Sequence, residues 1–338
     1  MMRFALFLEL ALLHCGVVYA QTVRLTLDTS EADAGLAILA LEAAHRTPAA
    51  SDWGALFSAE PYRRLKAREA SVNNAFTDDA FKAFLASEGM IARTRALQTT
   101  LQIWEQADLT ALGERVLDYL PQGAQITAKV YLEIKPVANS FVWGSGSARA
   151  IFLYLNPALS RSQFENKVAH EAHHIGLESL NEKQESLLSG LSESQQRAVR
   201  WLGGFGEGEA MLGAAGSPEV HPHAADDEHT RARWDARMAR FNDDLAAVQQ
   251  FLLDILDGRI QGRDELARRA EPFYGEQGAF YTVGYKMASM VEMRFGRAAL
   301  RDAMTDPRNL LILYNQAAAG QNGLRRWSPE LLAGFGLR

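Results

Sequence analysis

The pentapeptide His170-Glu171-Ala172-His173-His174 carries two imidazoles four residues apart, with a carboxylate beside the first. On a helix, positions i and i+4 share a face, so His170 and His174 can present nitrogens to one metal ion. Glu171 is rotated off that axis. It can reach a water at the open position of the ion without taking a coordination position itself, as a general base must. The chemistry implied by this H-E-x-x-H spacing is zinc-assisted hydrolysis. His173 lies about 100° round the helix from His174 and is expected to stand apart from the ion.

Two histidines leave a catalytic zinc site one protein ligand short. Glu178 lies on the same helix face, four residues past His174. From His170 to Glu178 the helix axis runs about 12 Å, too far for three ligands each about 2 Å from one ion. Glu178 therefore reads as a solvated carboxylate, and the third ligand must come from another element. The segment WLGGFGEGEA, Trp201 to Ala210, offers Glu207 and Glu209. Two residues apart, they point to roughly opposite sides of a helix, so only one of them can join the ion. The small residues around them allow a second helix to come close.

With these residues the chain resembles the gluzincin class of zinc metallopeptidases, in which an H-E-x-x-H helix is followed by a helix bearing a ligand Glu, often within E-G-x-A. Glu207-Gly208-Glu209-Ala210 fits that pattern in the register that makes Glu207 the ligand. The resemblance thus implies one Zn²⁺ per chain on His170, His174 and Glu207, with Glu209 as the competitor. A later block, FYTVGYKMA from Phe280 to Ala288, sits on a predicted helix with Tyr281 and Tyr285 sharing a face. Gluzincin-type enzymes often place a Tyr or His where it donates to the oxyanion of the tetrahedral intermediate. The resemblance gives that role to Tyr281, with Tyr285 as the alternative. This block, with Leu313-Tyr314-Asn315, is also similar to a little-characterised bacterial family of zinc-dependent peptidases over much of the chain. The implied activity is hydrolysis of a peptide or protein substrate, with Glu171 as general base.

The elements that must position these groups are mostly helices. Periodicity and capping residues predict helices from Ser30 to Arg46, from Thr77, and from about Met90 to Leu120, where Pro121 ends the run. Alternating, β-rich stretches follow at Gln125–Ile134 and Ala148–Leu155. Ser160 or Ser162 can then cap the motif helix, and helices return at about 227–256, 278–295 and 308–318. The expected fold class is α+β and predominantly helical: a zincin-like catalytic unit with a small β-sheet preceding the H-E-x-x-H helix. The expected divisions are a signal peptide at 1–20, an N-terminal helical part at 21–120 and the catalytic part at 121–338, the last two forming one compact unit. The strand ending near Leu155 is the expected edge for pairing with an extended peptide.

Composition bounds the rest. An apolar content of 48% and a charged content of 22% describe an ordinary folded protein, and the net charge of −6 argues against nucleic acid as the main partner. Arg3, the apolar stretch from Phe4 and Val18-Tyr19-Ala20 form an export signal with cleavage before Gln21, which predicts a periplasmic or extracellular protein. Lipid anchoring through Cys15 is disfavoured by the bulky His14 before it. Cys15 is the sole cysteine, so the processed chain must hold metal with His, Glu or Asp. It has no apolar run of the roughly 18 residues needed to span a membrane. Two other readings use the same residues: a non-catalytic secreted protein with a structural or decayed zinc site, and a di-metal carboxylate bundle built on Glu171-Ala172-His173-His174. The bundle needs a second E-x-x-H, which the processed chain lacks.

Overall fold

The computed structural model describes residues 21–275 and 277–337; the segment expected to be an export signal, with Cys15, lies outside them. Among the described residues, strands β1 (Thr22–Asp28), β2 (Gln125–Glu133), β3 (Phe141–Trp143) and β4 (Ala150–Tyr154) form one mixed sheet in the order β1-β2-β4-β3. β1 and β4 flank β2 in parallel, and β3 closes antiparallel on β4, pairing Phe141 with Phe152 and Trp143 with Ala150. Helices α1 (Ser30–Ala43), α2 (Ala50–Ser58), α3 (Glu60–Ser71), α4 (Asp78–Leu85), α5 (Glu88–Trp104) and α6 (Leu109–Leu117) lie between β1 and β2. After β4 come α7 (Arg161–Glu178), α8 (Asn181–Leu188), α9 (Glu193–Leu202) and α10 (Gly206–Ala215), then α11 (Glu228–Met238), α12 (Phe241–Leu256) and α13 (Arg263–Tyr274). The chain closes with α14 (Ala279–Phe295), α15 (Arg297–Thr305), α16 (Pro307–Ala317) and α17 (Pro329–Gly334). The fold is α+β and predominantly helical, with the sheet ahead of the motif helix.

Several boundaries differ from expectation for local reasons. The run expected from Met90 to Leu120 is two helices, because Asp108 accepts from the Ala111 amide at 2.9 Å and starts α6 afresh. Likewise α11 and α12 part at Ala239 and Arg240. β1 and β3 have no counterpart in the expectation: β1 finds its partner only about a hundred residues on, and β3 is three residues long. β3 also occupies part of the expected peptide-binding edge. It covers β4 at Ala150–Phe152, so β4 there has neighbours on both sides.

Among the described residues two large apolar cores result, with a small third cluster of Leu65, Tyr131, Ala150 and Phe152. The first joins the N-terminal helices, the sheet face of Ile126, Val130 and Leu132, and the buried face of α7 at Phe164, Val168, Ala172 and Ile175. The second is built mainly from α8 to α17. Leu177 of α7 packs against both, so the seam between the cores runs along the motif helix.

Buried charge sits in the first core. Glu31 and Glu133 are fully buried, and Lys135 reaches Glu133 at 3.3 Å while lying over the Phe141 ring. Glu31 also accepts the Ile134 amide at 2.8 Å. Burial pushes the Glu133 carboxyl up to about 7 and raises Glu31 as well. A carboxyl whose folded value exceeds its unfolded one stabilises fully below the unfolded value near 4.5, and that contribution is lost as pH rises through about 7. Urea titrations of the wild type are therefore expected to show stability falling between about pH 5 and 8, with a flatter profile for Glu133→Gln. An unchanged slope in that variant would assign the pH dependence to other groups.

Candidate metal centre

The helix that carries the motif begins at a reciprocal cap. Ser160 accepts from the Gln163 amide at 3.2 Å, and the Gln163 side chain accepts from the Ser160 amide at 2.8 Å. Its apolar face is anchored in the first core, where Phe164 stacks on Trp104 with ring centres 4.5 Å apart. That anchoring turns His170 and His174 toward α10. Nε2 of His170 and Nε2 of His174 lie 3.1 Å apart, and each lies 3.3 Å from Oε2 of Glu207. Three donors each about 2.05 Å from a tetrahedral zinc ion would be separated by about 3.3 Å, the edge of the tetrahedron. The triangle of 3.1, 3.3 and 3.3 Å therefore has the dimensions of three corners of such a site. Burial alone would raise the Glu207 carboxyl, but its hydrogen bonds to His170 and His174 hold it far below the usual carboxylate range. Burial works against the charged form of His174, yet the Glu207 carboxylate raises it above its ordinary value. Among the described residues these three are the group placed to share an ion.

A family profile described as "Putative zinc dependent peptidase (DUF5700)" matches residues 53–323, well over half the chain. The chain belongs to this family. No curated protein and no solved structure matches it.

Close approach of α10 to α14 sets the fourth side of the centre. A Cβ on Gly208 would lie 2.0 Å from the Tyr285 amide nitrogen and 2.5 Å from the Tyr281 carbonyl oxygen, so the helices meet backbone to backbone. The contact brings the Tyr281 ring nearly parallel to that of His170, at 11° with centres 6.3 Å apart. Burial, then the adjoining Glu207 carboxylate, raises the Tyr281 phenol well above 10, which keeps it a donor. Tyr285 points elsewhere: its hydroxyl donates to the Val220 carbonyl at 3.3 Å and its ring meets Trp234 edge-on. Glu209 is buried and lies outside the triad, its carboxyl pushed up to about 7 by burial against a smaller opposing effect of His174. Glu178 is exposed at the far end of α7 and pairs with Arg149. His173 is fully buried, with Gly213 of α10 against its ring, outside the cluster.

Beside His170 and Glu171 opens a cavity of about 240 Å³, walled also by Asn166, Lys167 and Met211. His223, which lies outside the set of residues expected at the site, also lines it. Gly216, in the left-handed region at φ 78°, ends α10 and turns the chain back over α7. There Gln163 donates to Asp226 at 2.7 Å and Asn166 donates to the Pro222 carbonyl at 3.1 Å. His223 is consequently 7% exposed, with Nδ1 at 2.7 Å from Asp226 and Nε2 at 2.7 Å from the Gln277 amide nitrogen. The i, i+3 spacing of His223 and Asp226 was the available signal, hidden because nothing local says which way the loop folds. His221 stays nearer the surface, at 3.2 Å from Asp235.

Proposed function

We propose that the protein is an exported, single-zinc metallopeptidase that cleaves peptide bonds with Glu171 as general base. The observation that carries this reading is the triangle of His170, His174 and Glu207 nitrogen and oxygen atoms at tetrahedral-edge separations. Two neutral imidazoles and one carboxylate are a borderline-soft donor set suited to zinc. A zinc ion bound there would supply Lewis acidity and bring the pKa of water towards about 7.

The other roles fall to side chains. Glu171 lines the cavity next to His170 and takes no part in the triangle, so its carboxylate is free to accept the proton of the attacking water and pass it to the leaving amine. Tyr281, kept protonated, donates to the oxyanion that develops on the scissile carbonyl. His223 offers a fixed polar group in the same cavity, its orientation set by Asp226 and Gln277.

Hydrolysis of a mixed peptide substrate, abolished by a chelator and restored by one equivalent of zinc, tests the activity; hydrolysis indifferent to chelation would reject it. Tyr281→Phe is expected to lower kcat by about 10²-fold with KM little changed. Tyr285→Phe, which removes a hydroxyl that donates to the Val220 carbonyl rather than into the centre, should keep its kcat. Equal losses from the two substitutions would argue that Tyr281 is structural. For export, mass spectrometry of the protein recovered outside the cytoplasm is expected to find Gln21 at the N-terminus; retention of residues 1–20 would contradict cleavage.

A further inference from the structure

A second cavity, of about 190 Å³, is lined by residues of both metal-bearing helices. It adjoins the centre through Leu177, one turn past His174, and Gly206, the residue before Glu207. Its wall is largely aliphatic, with Leu188, Leu202 and Met304 among the lining side chains. Glu209 also lines it. That residue is only 4% exposed, and no side chain or backbone group among the described residues hydrogen-bonds its carboxyl. The other acids at this cavity are engaged: Glu185 with Arg200 at 2.8 Å, and Asp306 with Arg308 at 2.7 Å. An unpaired carboxyl buried among aliphatic side chains is costly, and a cationic donor relieves that cost through a charge-assisted hydrogen bond. Drug-sized sites run to roughly 300–1,000 Å³. This one has room for a single extended side chain.

We propose that this cavity binds an alkylammonium group, with the aliphatic wall covering the stem and the Glu209 carboxylate accepting from the ammonium. A four-carbon stem with a terminal amine meets both halves of the lining; a neutral alcohol meets the wall alone, and a carboxylate is repelled. The group could come from a lysine side chain of a peptide or from a free aliphatic amine. The proposal does not rest on catalysis, since binding is read directly.

The test is titration of the zinc-loaded protein with n-butylammonium, n-butanol and n-butyrate at pH 7, followed by calorimetry and by the methyl resonance of Met304. Saturable binding is expected for butylammonium alone, weakened about tenfold or more in Glu209→Gln with zinc content intact. Leu187→Lys, at a 40% exposed position on the cavity wall, should place the chain's own ammonium in the site and also prevent binding. This second variant keeps the test open if Glu209→Gln does not fold. Equal binding of butanol, no binding of butylammonium, or wild-type binding in both variants would overturn the proposal. Matched peptides carrying lysine or norleucine then separate the sources. A lower KM for the lysine peptide, lost in Glu209→Gln, identifies the substrate; equal KM values with butylammonium still bound identify a free amine.

Discussion

Glu171→Gln is expected to cut kcat by about 10²- to 10⁴-fold while zinc stays at one per chain. The substitution is nearly isosteric and leaves the His170, His174 and Glu207 triangle untouched, because Glu171 lies outside it. What it removes is the group that accepts a proton beside His170, in a cavity where substrate can enter. Kinetics and metal analysis on the same preparation separate the possibilities. Lost activity with full zinc assigns Glu171 to proton transfer. Lost zinc would make it part of the support of the site, and full activity with full zinc would remove the mechanism.

The largest structural effect is expected from one methyl group. Gly208→Ala sets a Cβ 2.0 Å from the Tyr285 amide nitrogen and 2.5 Å from the Gly284 carbonyl carbon. Both are backbone atoms, which cannot swing aside as a side-chain tip can. Helices α10 and α14 must separate, and overpacking of this kind costs about 1–3 kcal/mol or more. The damage reaches the centre because Glu207 precedes Gly208 and Tyr281 rides on α14. Lower thermal stability, weaker zinc binding and loss of hydrolysis should therefore appear together. Gly206→Ala is the control: its Cβ would meet nothing nearer than Leu177 Cδ2 at 3.7 Å, and stability near that of the wild type is expected. A Gly208→Ala protein as stable as that control would refute the close-contact account of how α14 is positioned.

Much of the centre was legible in the sequence because its information is local. His170 and His174 share a face by helix geometry alone, and Ser160 and Gln163 mark where that helix starts. Glu207 needed a family resemblance: spacing along α10 separates it from Glu209 but does not say which of the two faces α7. What decides this is Gly208 against Gly284 and Gly213 against His173, contacts made only when the helices assemble. His223 stayed hidden for a similar reason, since its burial depends on Gln163 and Asn166 reaching back to the loop from α7. In the fold, long periodic helices such as α7 and α14 were readable. β1 was not, because its register is set by β2 across about a hundred intervening residues.

The central claim is that three side chains from two helices hold one zinc ion and leave a position open. X-ray absorption on protein loaded with one equivalent of zinc tests it most directly, paired with the same measurement on Glu207→Ala. The account predicts two imidazole nitrogens and two oxygens at about 2.0–2.2 Å in the wild type, with one oxygen exchangeable for an added small ligand. In Glu207→Ala it predicts a sharp drop in zinc affinity. A shell closed by four protein ligands, or unchanged affinity without the Glu207 carboxylate, would contradict it.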